Sequence, residues 1–236
     1  MYSGMGMLSG QSVRQLEALD VAAHNVANVD TPGFKTVILT YLHDNSGTEK
    51  DLVPTIPREV IDFRQGSTYV TGNPLDMAIM GSGFFVIETP EGEAYTRDGR
   101  FTLNEAGELV SFAGYPVMGT GGAVVFDGAD INVDETGKLL NDGIHVDSLR
   151  IMSFENPSAL GRADGGLYFD SHDRAGIVES EDSKVVQRSL ERSNVSSIQE
   201  MMKLIDIQRV FESYQKVMLT MQDMDKLSTS RIGRMA

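Results

Sequence analysis

The chain has 236 residues, 41% hydrophobic and 23% charged, a formal net charge of −14 and no cysteine. It is long enough for one sizeable core or two small ones, and too mixed in composition to be wholly disordered. The lack of Cys excludes disulfides, thiolate nucleophiles and zinc-cysteine sites, and the acidic excess argues against a nucleic-acid surface, which needs clustered Lys and Arg.

The opening stretch MYSGMGMLSG has neither a basic n-region nor a sustained apolar h-region, so a standard cleaved secretory signal is not expected. No apolar run approaches the roughly 20 residues needed to span a bilayer, so membrane insertion is not expected. Over 8–29, Leu16, Leu19, Ala23 and Val26 recur by threes and fours on one helical stripe, bordered by small Ala22 and Ala27 that let a partner helix approach. The helix stops at HNVANVDTPGFKT (24–36). Pro32 disfavours helical geometry at Thr31, Gly33 can take the positive φ of a tight turn, and Asn28 and Asp30 compete with the helical ladder for backbone groups. Phe34, just past the turn, is placed to act as an anchor.

From 36 to 72 the pattern is irregular and reads as a connector. HDNSGTEKD is a solvated loop, Pro54 and Pro57 break regular structure, and REVIDFRQGSTYVTG alternates enough for a strand or two. From 73 to about 180 the chain is β in character, with GFFVIET, AYTRDGRFTL, GELVSF and YPVMG as candidate strands. LNEAGEL (103–109) is echoed by VDETGKL (133–139), each with a Gly where a short hairpin loop needs a left-handed residue. Without helical segments between them, the strands must pair antiparallel. The chain closes on a second helix from Ser197 to about Ser228. It opens on a capping box of Ser197 and Glu200, and carries a stripe of Leu204, Ile207, Phe211, Tyr214, Met218 and Met221, widened by Val210, Val217 and Met224.

No catalytic, cofactor or metal constellation emerges. GSGFF (81–85) and GTGGA (119–123) open no predicted helix and lack a following Lys-Ser or Lys-Thr, so they read as turn glycines rather than phosphate loops. Asp127, Asp130 and Asp134 lack the spacing of a calcium loop, and His24, His43, His145 and His172 are scattered. The methionines Met201, Met202, Met218, Met221 and Met224 are either core filler or an adaptable contact surface. The terminal helices admit two readings: a hairpin packed within one monomer, or helices whose apolar stripes are covered by other copies.

AHNVANVDTPGFKT (23–36), GNPLDMAIMGSGFFVIET (72–89), AYTRDGRFTLNEAGELVSFAGYPVMG (94–119) and SNVSSIQEMMKLIDIQRVFESYQKVM (193–218), in that order, resemble the bacterial flagellar rod and hook proteins. The short chain and Phe211-Glu212 resemble the proximal-rod kind, whereas Gln208-Arg209 is more like the distal-rod pattern. The resemblance implies an α+β structural subunit of the basal-body rod, with N- and C-terminal helices pairing in an assembly core around which a central antiparallel β domain sits. The expected parts are 1–35 (helix and turn), 36–72 (connector), 73–184 (β domain) and 185–236 (long helix). The implied assembly interface is Leu16, Leu19, Ala23 and Val26 with Leu204, Ile207, Phe211, Tyr214, Met218 and Met221, and the family turn motif is Asn28, Asp30, Thr31, Pro32, Gly33, Phe34 and Lys35. Implied partners are other proximal and distal rod subunits, copies of the chain itself and the flagellar export apparatus, which would deliver it unprocessed to the rod in the periplasmic space. No cofactor, nucleic acid or small-molecule substrate is expected. A hydrolase would need a convergent acid pair within 73–180, and a free-standing binding module would never polymerise.

Overall fold

The computed structural model describes residues 2–42, 56–128, 131–180 and 182–232. The chain divides into two compact units: 1–27 with 37–60 and 196–236, and 28–36 with 61–195. The expected loop HDNSGTEKD (43–51) with His43, as well as Pro54 and Asp130, lies outside the described residues.

The first unit is built on two helices, α1 (Tyr2–Ala27) and α2 (Ser197–Ile232). Near ~1.5 Å rise per residue they span about 39 Å and about 54 Å. α1 begins earlier than its glycines suggest, since Gly4, Gly6 and Gly10 each cost about 1 kcal/mol relative to Ala in a helix. The helices pack on each other, and Asn25 Nδ2 donates to Glu200 Oε2 at 3.4 Å, so the end of α1 lies beside the start of α2 and the pair is antiparallel. The expected capping box does not form as drawn. Ser197 is the first helical residue, the Glu200 N–H bonds the Ser196 carbonyl, and the Glu200 carboxylate turns to Asn25 and to Lys203. The VILTYL run, expected to be irregular, is a strand (Val37–Leu42) paired with Ile56–Ile61. Asn25 holds its first residue at both ends, accepting from the Val37 N–H at 2.9 Å and donating to the Val37 carbonyl at 2.8 Å.

The second unit is antiparallel β throughout its described pairings. Its largest sheet has six strands in the order Gly161–Ala163, Leu167–Phe169, Gly92–Thr96, Phe84–Thr89, Ile151–Phe154, Ile177–Glu179. Alternate residues of a strand point to opposite faces, and here both faces are covered. Phe85 and Ile87 join a core with Met77, Phe101, Leu109 and Leu139, while Phe84 and Val86 join a second with Tyr95, Phe154 and Tyr168. This is why FFVI reads as an unbroken apolar run rather than an alternating one. The second core is aromatic, with edge-on contacts of Phe84 to Phe154 at 5.3 Å and of Tyr95 to Phe154 at 4.8 Å, the geometry that the ring quadrupoles favour.

The two echoed sequences form the same hairpin. Leu103 pairs with Leu109 and Val133 with Leu139. In each, an Asn or Asp side-chain oxygen caps the loop: Asn104 Oδ1 accepts from the N–H groups of Ala106 and Glu108, and Asp134 Oδ1 from those of Thr136 and Lys138. Gly107 and Gly137 take φ of 79° and 82°. The glycines of GSGFF and GTGGA likewise lie in or between strands rather than at a helix start.

A Cβ on Gly107 would sit 2.5 Å from the Phe126 carbonyl oxygen, whereas one on Gly137 would meet its nearest neighbour at an ordinary 3.5 Å. Both Gly→Ala variants bear the left-handed penalty of roughly 1–2 kcal/mol, so Gly137→Ala should lower stability by about that much and Gly107→Ala by clearly more in urea unfolding. Acid should also weaken this unit. Burial alone would raise the acids of Asp134, Asp147 and Asp170, but hydrogen bonds outweigh it and hold all three below the ordinary carboxylate range; the donors include Thr136 and Lys138, Thr120 and Gly121, and Arg174 and Ala175 respectively. With the folded pKa depressed, the unfolded chain takes up protons first, so this stability is present above about pH 4 and is lost as pH falls through the folded values. The urea midpoint should fall between pH 5 and pH 3, and less steeply in Asp147→Asn.

Candidate functional site

Two constellations hold the residues singled out by sequence. One is the helix pair of the first unit. On α2, Leu204, Ile207, Phe211, Tyr214, Met218 and Met221 are all half-buried, and residues between them are exposed. On α1, Ala22 and Asn25 are buried and Leu19 and Val26 half-buried, but Leu16 is 45% exposed and Ala23 is exposed. The covered line of α1 is therefore turned by about one residue from the expected stripe. The cause is a second neighbour: the strand Val37–Leu42 also packs on α1, with the Tyr41 hydroxyl donating to the Arg14 carbonyl and Asn25 clasping Val37. Small Ala22 lies on the covered line, as its size allows, and Ala27 stays exposed.

The apolar residues of α2 outnumber those it covers. Ile198 is 71% exposed and Leu219 60%, and Met201, Met202, Ile205, Val210, Val217 and Met224 are also exposed. At about 100° per residue, Val210 and Val217 flank the covered line, whereas Ile198, Met202 and Ile205 lie on the far side of the helix.

The other constellation is the turn, which belongs to the β unit. Thr31 N–H bonds the Asn28 carbonyl and Phe34 N–H the Thr31 carbonyl, so two turns follow one another, tied by Thr31 Oγ1 to Asn28 Oδ1 at 3.2 Å. Pro32, Gly33, Phe34 and Lys35 are buried, Asn28 and Thr31 half-buried and Asp30 exposed. Gly33 has φ of 70°, and a Cβ there would lie 2.4 Å from the Arg97 carbonyl carbon, so no other residue fits. Its N–H donates to the Glu191 carbonyl at 2.9 Å. Phe34 is buried, with the Arg162 guanidinium 5.1 Å from its ring centre. Asn194 pins the exit, accepting from the Thr36 N–H and hydroxyl while its amide donates to the Asp62 and Arg64 carbonyls.

At the centre lies an ion network that sequence gave no sign of. The side chains of Lys35 and Glu191 are fully buried and meet at 2.6 Å, and Arg97 Nη1 reaches the other Glu191 oxygen at 3.3 Å. Glu191 Oε1 also accepts the Gly66 N–H at 2.8 Å, Lys35 Nζ donates to the Arg64 carbonyl at 3.0 Å, and Arg97 Nη2 donates to the Gly81 carbonyl at 2.7 Å. Burial pulls Lys35 and Arg97 below their ordinary pKa, and the Glu191 carboxylate opposes that in both.

One carboxylate balances two cations, so the partners are unequal. Glu191→Gln strands both cations and should cost at least the ~3–5 kcal/mol of a broken buried pair. Lys35→Met leaves Arg97 balancing Glu191, and Asn194 still serves the Arg64 carbonyl, so its loss should be smaller. Chemical unfolding of the two variants gives the ordering, and a larger loss in Lys35→Met would contradict the network.

Comparison with known proteins separates the possibilities. The profile of the flagella basal body rod protein matches residues 1–35, that of the flagellar hook protein FlgE/F/G D1 domain matches 78–151, and that of the flagellar basal body rod FlgEFG protein C-terminal matches 186–231. The flagellar basal-body rod protein FlgF of Rhizobium meliloti is 34% identical over 224 residues, covering 92% of each chain. FlgF of Caulobacter vibrioides is 33% identical, again over 92% of each chain. The flagellar basal-body rod protein FlgG of Borreliella burgdorferi is 31% identical, over 92% of this chain and 93% of its own. The first match takes in the turn as far as Lys35, the second the middle of the β unit and the third α2 as far as residue 231, and the chain belongs to the flagellar hook and basal-body rod protein family, as a rod protein of the FlgF type.

Proposed function

We propose that the chain is a structural subunit of the proximal part of the flagellar basal-body rod, which assembles through its helix pair, transmits torque and catalyses no reaction. The observation that carries this reading is the unspent apolar surface of α2. Its covered line is the one that faces α1, yet Ile198, Ile205, Val217, Leu219 and Met224 remain in water. Large contiguous apolar surface is rare on monomers and marks sites of association. Burying it between subunits at roughly 25 cal/mol per Å2 supplies assembly energy, and close packing of the helices gives rigidity.

The stripe residues Leu16, Leu19, Ala23 and Val26, with Leu204, Ile207, Phe211, Tyr214, Met218 and Met221, then divide by role. Those half-covered within the pair hold α1 to α2. The exposed Leu16 and Ala23, with the flanking residues of α2, face neighbouring subunits. Such contacts join unlike faces, so a tube grows without closing into a ring. The partners are copies of the chain and other rod subunits. Export through the flagellar apparatus brings the chain to the periplasmic rod. The proximal position rests on the FlgF relatives, 33–34% identical, against 28–31% for FlgG, the distal-rod alternative.

Leu219→Glu combined with Met224→Glu tests this, because both side chains are exposed and neither is needed for the fold. The melting temperature should stay within a few degrees of the parent, while swimming is lost and the chain disappears from purified basal bodies. Normal swimming with the variant incorporated would rule out the helix-mediated assembly.

A further inference from the structure

The β unit presents an exposed surface of aromatic and arginine side chains. Its backbone forms a continuous row. Arg100 bridges Asp76, the Ser189 N–H bonds the Asp76 carbonyl, and Ser189 pairs with Val70. With neighbours ~4.8 Å apart, the row is about 14 Å wide. At one end the Arg100 guanidinium, gripped by Asp98 at 2.6 Å, lies 4.4 Å from the ring centre of Phe112, which is 74% exposed at a turn. At the other, Val70 is 80% exposed, and Arg192 lies 4.7 Å from the ring centre of its neighbour Tyr69. Arg188, also exposed, holds φ of 59° where its carbonyl takes the Thr71 and Gly72 N–H groups.

Aromatic rings braced by arginine are the composition of interface centres, and they lose little side-chain freedom on docking. The charge of the patch runs against that of the molecule. Arg100 is balanced by Asp98, so the excess positive charge rests on the exposed Arg188 and Arg192, on a chain of net charge −14, and the surface that complements them is acidic. The same unit offers one. A groove of about 460 Å3 is lined by Phe169 with Glu91, Glu93 and Asp170 and closed by Arg162 and Ser171. Its size is within the range of pockets that enclose a ring-sized group. Asp170 is fixed there by the N–H groups of Arg174 and Ala175, and the Glu93–Arg150 pair is solvent-exposed and of the kind worth little.

We propose that this arginine-aromatic surface docks into the carboxylate-rimmed groove of a second copy of the chain, Phe112 entering beside Phe169 while Arg100 and Arg192 face Glu91 and Asp170. The inference rests on the rod-subunit reading and adds to it a subunit contact in the β unit. Surface and groove share no residue, so the contact is heterologous: each copy offers one and receives the other, and the contact propagates.

The absence of native cysteine makes the contact directly testable in the full chain. Ala113→Cys with Ser171→Cys, which keeps the Phe112 ring, is expressed in flagellated cells in place of the parent, basal bodies are isolated, and a thiol oxidant is added; the same variant is oxidised as concentrated purified protein. The expected result is a ladder of dimers, trimers and longer species that reduction collapses, with Ala113→Cys alone giving no species beyond a dimer. Adding Arg100→Glu should lower the ladder yield at least tenfold. His172→Cys replaces Ser171→Cys if the latter misfolds. Incorporation of the double-cysteine variant without a ladder in either preparation overturns the contact and leaves the rod reading standing. A parent chain absent from basal bodies overturns the rod reading, and the purified-protein ladder then decides the contact by itself.

Discussion

The Glu191 carboxylate is the group on which the β unit's closure depends. It is fully buried, it is shared by Lys35 and Arg97, and its acceptor sites also hold the Gly66 N–H. A lone carboxylate in such a place would be heavily penalised, and two cations with no carboxylate would be worse. The charges therefore permit only the arrangement in which the turn after α1, the segment at 64–66, the stretch around Arg97 and the strand Ser189–Glu191 meet at one point. Gly33 closes the same junction sterically, since only a residue without Cβ fits against the Arg97 backbone. A buried ion network of this kind contributes less to net stability than to uniqueness of arrangement, and uniqueness is what a repeating subunit requires.

The first unit obeys a different constraint. α1 and the strand Val37–Leu42 are held together by Asn25, whose amide matches the donor and acceptor of one strand residue as another strand would. α2 then covers what remains of α1, but α2 is ten residues longer, 36 against 26, and apolar on more than one line. One short helix has too little surface to cover it. The surplus is thus a geometric result of unequal lengths, and it leaves Ile198, Leu219 and other apolar side chains of α2 exposed.

How much of this was legible follows from how local each signal is. FFVI announced a strand buried on both faces, the echoed LNEAGEL and VDETGKL announced twin hairpins, and the spacing from Leu204 to Met221 announced the covered line of α2; each is written within a few residues. The turn was legible as a turn because Pro32 and Gly33 act on their own backbone. Lys35 was legible only as part of that turn. Its partner lies 156 residues away, and Arg97 lies 94 from Glu191, so no window of sequence displays the network. The same reason accounts for α1, whose covered line turned because a strand from the expected connector also packs on it, and for Glu200, drawn from its local capping role to Asn25 at a separation of 175. VILTYL is the exception, a run whose β-branched residues are themselves a strand signal although the turn residues and prolines that follow mark the stretch as irregular.

Electrostatics and assembly pull in opposite directions in this chain. Copies carrying a net charge of −14 repel at long range, which keeps free subunits soluble despite the exposed face of α2. That repulsion is screened beyond about 8–10 Å at physiological ionic strength, so it does not prevent close packing once neighbours are held in place. A rod grown subunit by subunit needs both properties: no premature association of free chains, and apolar contact strong enough to bear load after docking. The proposed assembly meets both requirements with a single sequence if the acidic excess keeps free copies apart and the exposed apolar residues of α2 are buried between docked ones.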